Sequence, residues 1–234
     1  MQRHAIRIRK IYEILLGTYG PRGWWPLGDG RGGAPEYRGG PRTARERFEV
    51  AVGAVLTQNT AWSNAALAVC ALSRRGLIDP AALAAAPDRL VARLVRPSGY
   101  FNQKARRLRK LAAHFMLHPE PDRESLLGLH GIGPETADSI LLYGFSQPCF
   151  VVDAYTRRLF SRLGLLRGNE AYEDVRGLFE RSLGPDPVLY NEYHALIVEH
   201  AKQRCKKRPL CGGCPLNEIC PERRGGEKHG SCPR

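Results

Sequence analysis

Leu129-His130-Gly131-Ile132-Gly133-Pro134-Glu135-Thr136-Ala137 separates two helical patterns with a tight bend. Glycines at 131 and 133 free the backbone to turn sharply and to let another molecule come close. Pro134 suits the first position of a following helix, where its missing N–H costs nothing. The product is a short turn ending on a positive helix N-terminus, an arrangement suited to a phosphate. Read by itself, the same pattern would also serve a plain helix–turn–helix.

Working outward, residues 43–144 carry helical periodicity throughout. Phe48, Ala51, Val52 and Val55 mark one face, and Ala65, Ala66, Val69, Cys70 and Leu72 another. Stretches 81–94 and 105–115 continue the pattern, with Pro80, Pro87, Pro97 and Pro119 as breaks. Beyond Pro148 come a short apolar run, 150–152, and helices expected from about Ala154, over 172–183 and over 188–201. Val and Ile never alternate long enough with polar residues to build a sheet, so the class is all-α. Near the N-terminus, Ile6, Ile11, Ile14 and Leu15 form one helical face. Residues 28–42 hold six glycines and two prolines and read as a connector or surface loop.

The 234 residues carry 36 Lys and Arg against 23 Asp and Glu, a net charge of +13, with a pI near 9.8. Clustered cations gain free energy by releasing counterions from a polyanion, which points to nucleic acid. The charge is concentrated: residues 202–234 hold nine Lys and Arg against three Glu, and 104–110 hold five basic residues in seven. No apolar run approaches the roughly 18 residues a membrane span requires, and the N-terminus lacks a small-residue cleavage site. A secreted or membrane protein is not expected.

Four of seven cysteines, Cys205, Cys211, Cys214 and Cys220, follow the spacing C-x5-C-x2-C-x5-C. Thiols this close in a chain of this kind argue for metal ligation over disulfides. Zinc would take four sulfurs tetrahedrally, usually from paired short knuckles. A cubane cluster takes one thiolate per iron, so one compact loop can wrap it. With a single C-x2-C knuckle present, the spacing favours iron–sulfur, and zinc stays open. Cys70 and Cys149 read as buried small hydrophobes and Cys232 as a tail residue. Lys206, Lys207 and Arg208 lie in the first cysteine loop, placed either to grip phosphates or as a solvated charge run. Asp153 follows the apolar Val151-Val152 at a helix start, and reads locally either as an N-cap or as a partly desolvated carboxylate in a cleft.

The bend, an acid eighteen residues beyond Glu135 and the four-cysteine loop together resemble the endonuclease III branch of the helix–hairpin–helix DNA glycosylases, from about Phe48 to Cys220. The first cysteine loop is one residue shorter than in the best-known members. Leu56-Thr57-Gln58-Asn59-Thr60 resembles the loop whose Gln fills the gap left by an everted nucleotide. Gly99-Tyr100-Phe101-Asn102-Gln103-Lys104-Ala105 resembles the loop whose tip wedges into the opposing strand.

The resemblance implies two helical domains: a barrel over 43–147 carrying the hairpin, and a second domain joining residues 1–42 to 148–220 and an iron–sulfur loop. Residues 221–234 would form a basic tail. The nucleotide would be flipped into the cleft between the domains. Gly131 and Gly133 would donate amides to DNA, with a monovalent cation bound at the hairpin. A 4Fe–4S cluster on Cys205, Cys211, Cys214 and Cys220 is implied as cofactor. The implied partner is duplex DNA containing a damaged base, bound by a monomer in the cytoplasm, on the nucleoid of a bacterium or archaeon.

One departure from the bifunctional members matters. Their hairpin presents a Lys that attacks the sugar and forms a Schiff base; this chain has Glu135 there, and a carboxylate cannot form an imine. Hydrolysis assisted by Asp153 is therefore expected. A Glu at that position, with the Leu-Thr-Gln-Asn-Thr loop, resembles the alkylpurine (3-methyladenine) glycosylases of the same superfamily. Trp24-Trp25-Pro26 matches an aromatic pair near the lesion pocket of that group, and Trp62 and Tyr100 are further aromatic candidates. A cationic alkylpurine would be drawn to an indole face; alternatively the pair only docks the N-terminal segment. Three other readings remain: a glycosylase for oxidised pyrimidines, a non-catalytic lesion-binding protein, and a zinc-stabilised nucleic-acid-binding module.

Overall fold

A computed structural model describes residues 2–222; the basic tail beyond Glu222, Cys232 included, lies outside the described residues. Eleven α-helices appear in it: α1 (Gln2–Tyr19), α2 (Ala44–Leu56), α3 (Trp62–Arg74), α4 (Pro80–Ala85), α5 (Asp88–Leu94), α6 (Phe101–Leu117), α7 (Arg123–Leu127), α8 (Pro134–Ser139), α9 (Ala154–Arg162), α10 (Tyr172–Leu183) and α11 (Pro187–Gln203). The only strands among the described residues are β1 (Pro26–Leu27) and β2 (Glu36–Tyr37), paired antiparallel. No helix among these residues is long and apolar enough to cross a membrane.

The chain divides into two compact units: residues up to Arg22 with those from Pro148 onward, and Gly23–Gln147. The boundary near the N-terminus therefore falls at Arg22 and not at Arg42. Residues 28–42 do not behave as a connector, because specific partners tie them to the helical body. The Gly28 amide donates to the buried Glu49 carboxylate at 2.5 Å, and the Cys70 thiol reaches the Gly33 carbonyl at 3.2 Å. Leu27 and Trp25 are buried beside them.

In the Gly23–Gln147 unit, α2 is the central rod. Thr43 opens it with a capping box, its hydroxyl accepting the Glu46 amide while Glu46 returns to the Thr43 amide. Every residue from Phe48 to Leu56 is buried, as expected of a helix enclosed on all sides. Pro87 separates α4 from α5. The two helices of the bend, α7 and α8, are pinned by Arg123, whose Nε lies 2.7 Å from the fully buried Asp138 carboxylate. Removing one partner of such a pair strands a charge in the interior. Arg123→Met is expected to cost roughly 3 kcal/mol, read as a fall in the urea midpoint with an unchanged slope.

In the other unit, α1 packs on α10 and α11. Its buried stripe is Ile8, Ile11 and Leu15, while Ile6 is 63% exposed, so the expected face is rotated. The rotation lets Arg7 and Arg9 donate to the carbonyls of Leu163 and Leu183, at the C-terminal ends of α9 and α10, where cations are favoured by the helix dipole. Phe150 stacks on Phe179 with ring centroids 4.1 Å apart, and the Tyr193 hydroxyl donates to the Ile8 carbonyl. Cys70 is buried as expected, whereas Cys149 is half-exposed.

Candidate active site

At the bend, Gly131 has φ +90°, a conformation that favours glycine. A side chain there would also run into the Arg107 guanidinium. Gly133 differs: it is extended, it caps α8, and an added Cβ would meet nothing within 4 Å. The space beside Gly133 is therefore open to a ligand. Ile132 between them is buried and anchors the turn. Glu135 sits exposed on the first turn of α8.

The loop after α2 leans on this bend. The Gln58 side-chain amide donates to the Gly131 carbonyl at 3.0 Å and to the Thr136 hydroxyl at 2.9 Å, while its oxygen accepts from Arg107 at 2.8 Å. Tyr100 stands 64% exposed just before α6, lifted outward by a left-handed backbone, φ +46°. The basic run 104–110 is less of a surface patch than its composition implies. Lys104 is buried and Arg109 is held by Asp88 and the Ala84 carbonyl, which leaves Arg106 and Lys110 exposed.

The aromatic residues gather in the same unit. Trp25 is buried at 6%, its ring 5.2 Å from Trp62 and 5.0 Å from Tyr143 and close against Gly53. Trp24 is half-exposed, 5.9 Å from Tyr143 and 6.2 Å from Trp25. The pair is thus split: Trp25 packs into the core, and Trp24 keeps accessible ring surface. Tyr143 was not legible as a candidate, because it reads as one more apolar position in a helical run; here it lies on a π-helical turn, Ile140–Gly144, that follows α8.

Asp153 is the N-cap of α9, accepting the Thr156 amide at 2.7 Å. Its second oxygen lies 3.5 Å from His194 Nε2 on α11, and the carboxylate is 12% exposed. Burial works to raise its pKa, but His194 and the hydrogen bonds from Thr156 outweigh it and hold the carboxyl below the ordinary carboxylate range. Asp153 is therefore both a helix cap and a nearly enclosed anion. His194 was missed in the sequence, where a single histidine inside an apolar helix gives no signal.

Helix α9 also supports the cysteine loop. Arg158 donates to the Cys205 carbonyl, and Arg162 to the carbonyls of Lys206 and Lys207 and to the Cys205 sulfur. The loop's backbone is fixed in this way while the side chains of Lys206, Lys207 and Arg208 stay exposed. Cys205, Cys211, Cys214 and Cys220 line one cavity of about 400 Å³, its open mouth included, together with Leu163 and Leu216. Burial pushes the Cys214 thiol up, and the other three cysteines push it further. Among the described residues no three His, Cys, Asp or Glu side chains converge closely enough to hold a metal ion.

The family model of the HhH-GPD superfamily base excision DNA repair proteins matches residues 52–185, spanning both the bend and Asp153. The chain belongs to this superfamily. Within the HhH-GPD proteins, it is 40% identical over 226 residues to the Methanocaldococcus jannaschii protein named "Putative DNA repair glycosylase MJ1434", covering 91% of this chain and 95% of that one. Among solved structures of the same fold, endonuclease III in a non-covalent complex with DNA superimposes with a TM-score of 0.73 at 21% identity, covering 96% and 98% of the two chains. The H. pylori 3-methyladenine DNA glycosylase MagIII, bound to 1,N6-ethenoadenine, superimposes with a TM-score of 0.67 at 28% identity, covering 84% and 97%.

Proposed function

We propose that this chain is a monofunctional DNA glycosylase that hydrolyses the N-glycosidic bond of an everted alkylated purine, with Asp153 as the assisting carboxylate. One observation carries the reading: an acid on the head of α9, nearly enclosed yet held ionised, in a member of a base-excision superfamily. As the C1′–N bond breaks, its electron pair goes to the departing base. An N-alkylated purine begins as a cation and so leaves neutral. The positive charge left on the sugar is stabilised by the Asp153 carboxylate. Water bonds to C1′ and gives up its proton to that carboxylate, and so to solvent. The products are free base and an intact strand with an abasic site. The residue at the hairpin position is Glu135, which offers no amine for a Schiff base.

Trp24 supports the choice of base. Its half-exposed indole, beside Trp25 and Tyr143, offers the electron-rich face that a cationic purine prefers, and a relative at 28% identity is a 3-methyladenine glycosylase. Gly131, Gly133, Gln58 and Tyr100 would hold the duplex, and Lys206, Lys207 and Arg208 its phosphates. The Gly131 carbonyl, already accepting from Gln58, keeps one lone pair for a monovalent cation at the hairpin. Cys205, Cys211, Cys214 and Cys220 would hold a 4Fe–4S cluster, one thiolate to each iron, in the cavity they line. Bound there, it would cross-link the loop that α9 braces.

A panel of duplexes carrying 3-methyladenine, 7-methylguanine, thymine glycol or a normal base tests the reading. Release of the methylated purines with the strand unbroken is expected, and release of thymine glycol alone would overturn the choice of base. The two tryptophans should then part company. Trp24→Ala is expected to lose about 2 kcal/mol of transition-state binding, roughly 30-fold in rate, by removing cation–π and stacking contacts. Trp25→Ala is expected to lower the melting temperature first, as a large core truncation does.

A further inference from the structure

Lys104 contradicts what its surroundings in the sequence suggest. It opens a run of cations, yet its side chain is 1% exposed, and its ammonium donates to two backbone carbonyls, Leu56 at 2.9 Å and Ser98 at 2.7 Å. A buried charge is costly unless hydrogen bonds replace its hydration, and here two carbonyls do so. What it holds is specific. Leu56 is the last residue of α2, two before Gln58, and Ser98 lies two before Tyr100. One turn further along α6, Arg107 grips the Gln58 amide oxygen and crosses over Gly131.

We propose that α6 sets the register of the three DNA-facing segments: Lys104 ties the Gln58 loop to the Tyr100 loop, Arg107 ties Gln58 to the hairpin, and both are positioning residues for nucleotide eversion. The proposal rests on the reading that Gln58 and Tyr100 enter the duplex. Its physical basis is spacing. A residue that fills the gap and one that wedges the opposing strand must arrive at a fixed separation, and two loops with independent mobility would not keep it. A single ammonium bonded to the backbone at the root of both loops fixes that separation without touching DNA. Arg107 and the Gly131 carbonyl fix the Gln58 amide by bonding its two ends, oxygen and nitrogen, to different elements. Burial pushes the Lys104 ammonium down to about 8, with Arg107 adding to the effect, as expected for a buried cation bonded to neutral carbonyls.

The test compares binding to an undamaged duplex with binding to a duplex carrying a tetrahydrofuran abasic analogue, and follows eversion through 2-aminopurine fluorescence at the target position. Lys104→Met keeps the aliphatic volume and leaves the two carbonyls unpaired; Arg107→Met removes a half-exposed guanidinium outside the core. Both are expected to bind undamaged duplex nearly as wild type does, and to lose about tenfold of the preference for the abasic analogue along with most of the eversion signal. Lys104→Met is also expected to melt lower; should it fail to fold, Arg107→Met decides. A full preference in a folded Lys104→Met, or in Arg107→Met, would overturn the proposal by showing that the contact only stabilises the fold. Gln58→Ala and Tyr100→Ala separate the two levels. If they reduce the preference while the α6 variants do not, the register idea alone fails; if they leave it intact, the reading beneath it fails and takes this proposal with it.

Discussion

Asp153→Asn is expected to lower single-turnover base excision by roughly 10²–10⁴-fold, the range for losing a general base and the charge that stabilises a developing cation. The substitution is chosen because Asp153 does two jobs. Asn caps a helix about as well as Asp, so the bond from the Thr156 amide survives and the helix that starts there should hold. Only the charge is removed. Duplex affinity should remain, and the melting temperature at pH 7 should fall by a few degrees at most. The pH dependence gives a second check. The folded-state pKa of Asp153 is depressed, so its contribution to stability is complete above the unfolded carboxyl value of about 3.9 and is lost as pH falls through the lower folded value. The difference in melting temperature between wild type and Asp153→Asn should narrow as the pH falls through the carboxyl range, as the charge that distinguishes the two is neutralised. An Asp153→Asn enzyme that still excises bases at the wild-type rate would leave Asp153 as a helix cap and nothing more.

Cys214→Ala is expected to be the most damaging change to the unit that holds α9 and the cysteine loop. Wild-type protein should contain iron and acid-labile sulfide in equal amounts, and the variant close to none. The cysteine loop has little of its own to hold it, since its secondary structure is one short 3₁₀ turn, Asn217–Ile219, and its backbone is gripped from α9 by Arg158 and Arg162. Ligand binding and loop folding are then one event. A loss of several kcal/mol is expected, which in a chain of this size means a melting temperature lower by roughly 10 °C or more. Because α9 begins at Asp153, excision should fall too, while Gly131, Gly133 and Arg123 in the other unit are untouched. Stoichiometric zinc in the wild type, with no iron, would reverse the assignment.

The helices were legible because their signals are local. Pro80 and Pro87 stand at helix boundaries, and the Gly131-Ile132-Gly133-Pro134 bend appears with α8 beginning at Pro134. What escaped depends on partners distant in the chain. The glycines at 28 and 33 look like a connector until Glu49 and Cys70 are seen to receive them. Ile6 and Ile8 are equivalent as letters, and only the carbonyls at 163 and 183, reached by the arginines on either side of Ile8, decide which of them faces inward. Lys104 hides in a run of cations because composition does not record burial. His194 and Tyr143 each sit in an apolar helical pattern that accounts for them without reference to Asp153 or the tryptophans. The lesson is asymmetric: motifs that shape backbone were visible, and side chains that position other side chains were not.

Borohydride trapping during turnover on methylated duplex tests the central claim most directly. An enzyme that uses Asp153 and water passes through no imine, so the wild-type protein should release the alkylpurine, leave an abasic strand that breaks only on later alkali treatment, and form no covalent complex with DNA under reduction. A reduced protein–DNA adduct that depends on an amine of this chain, formed at the rate of base release, would contradict it.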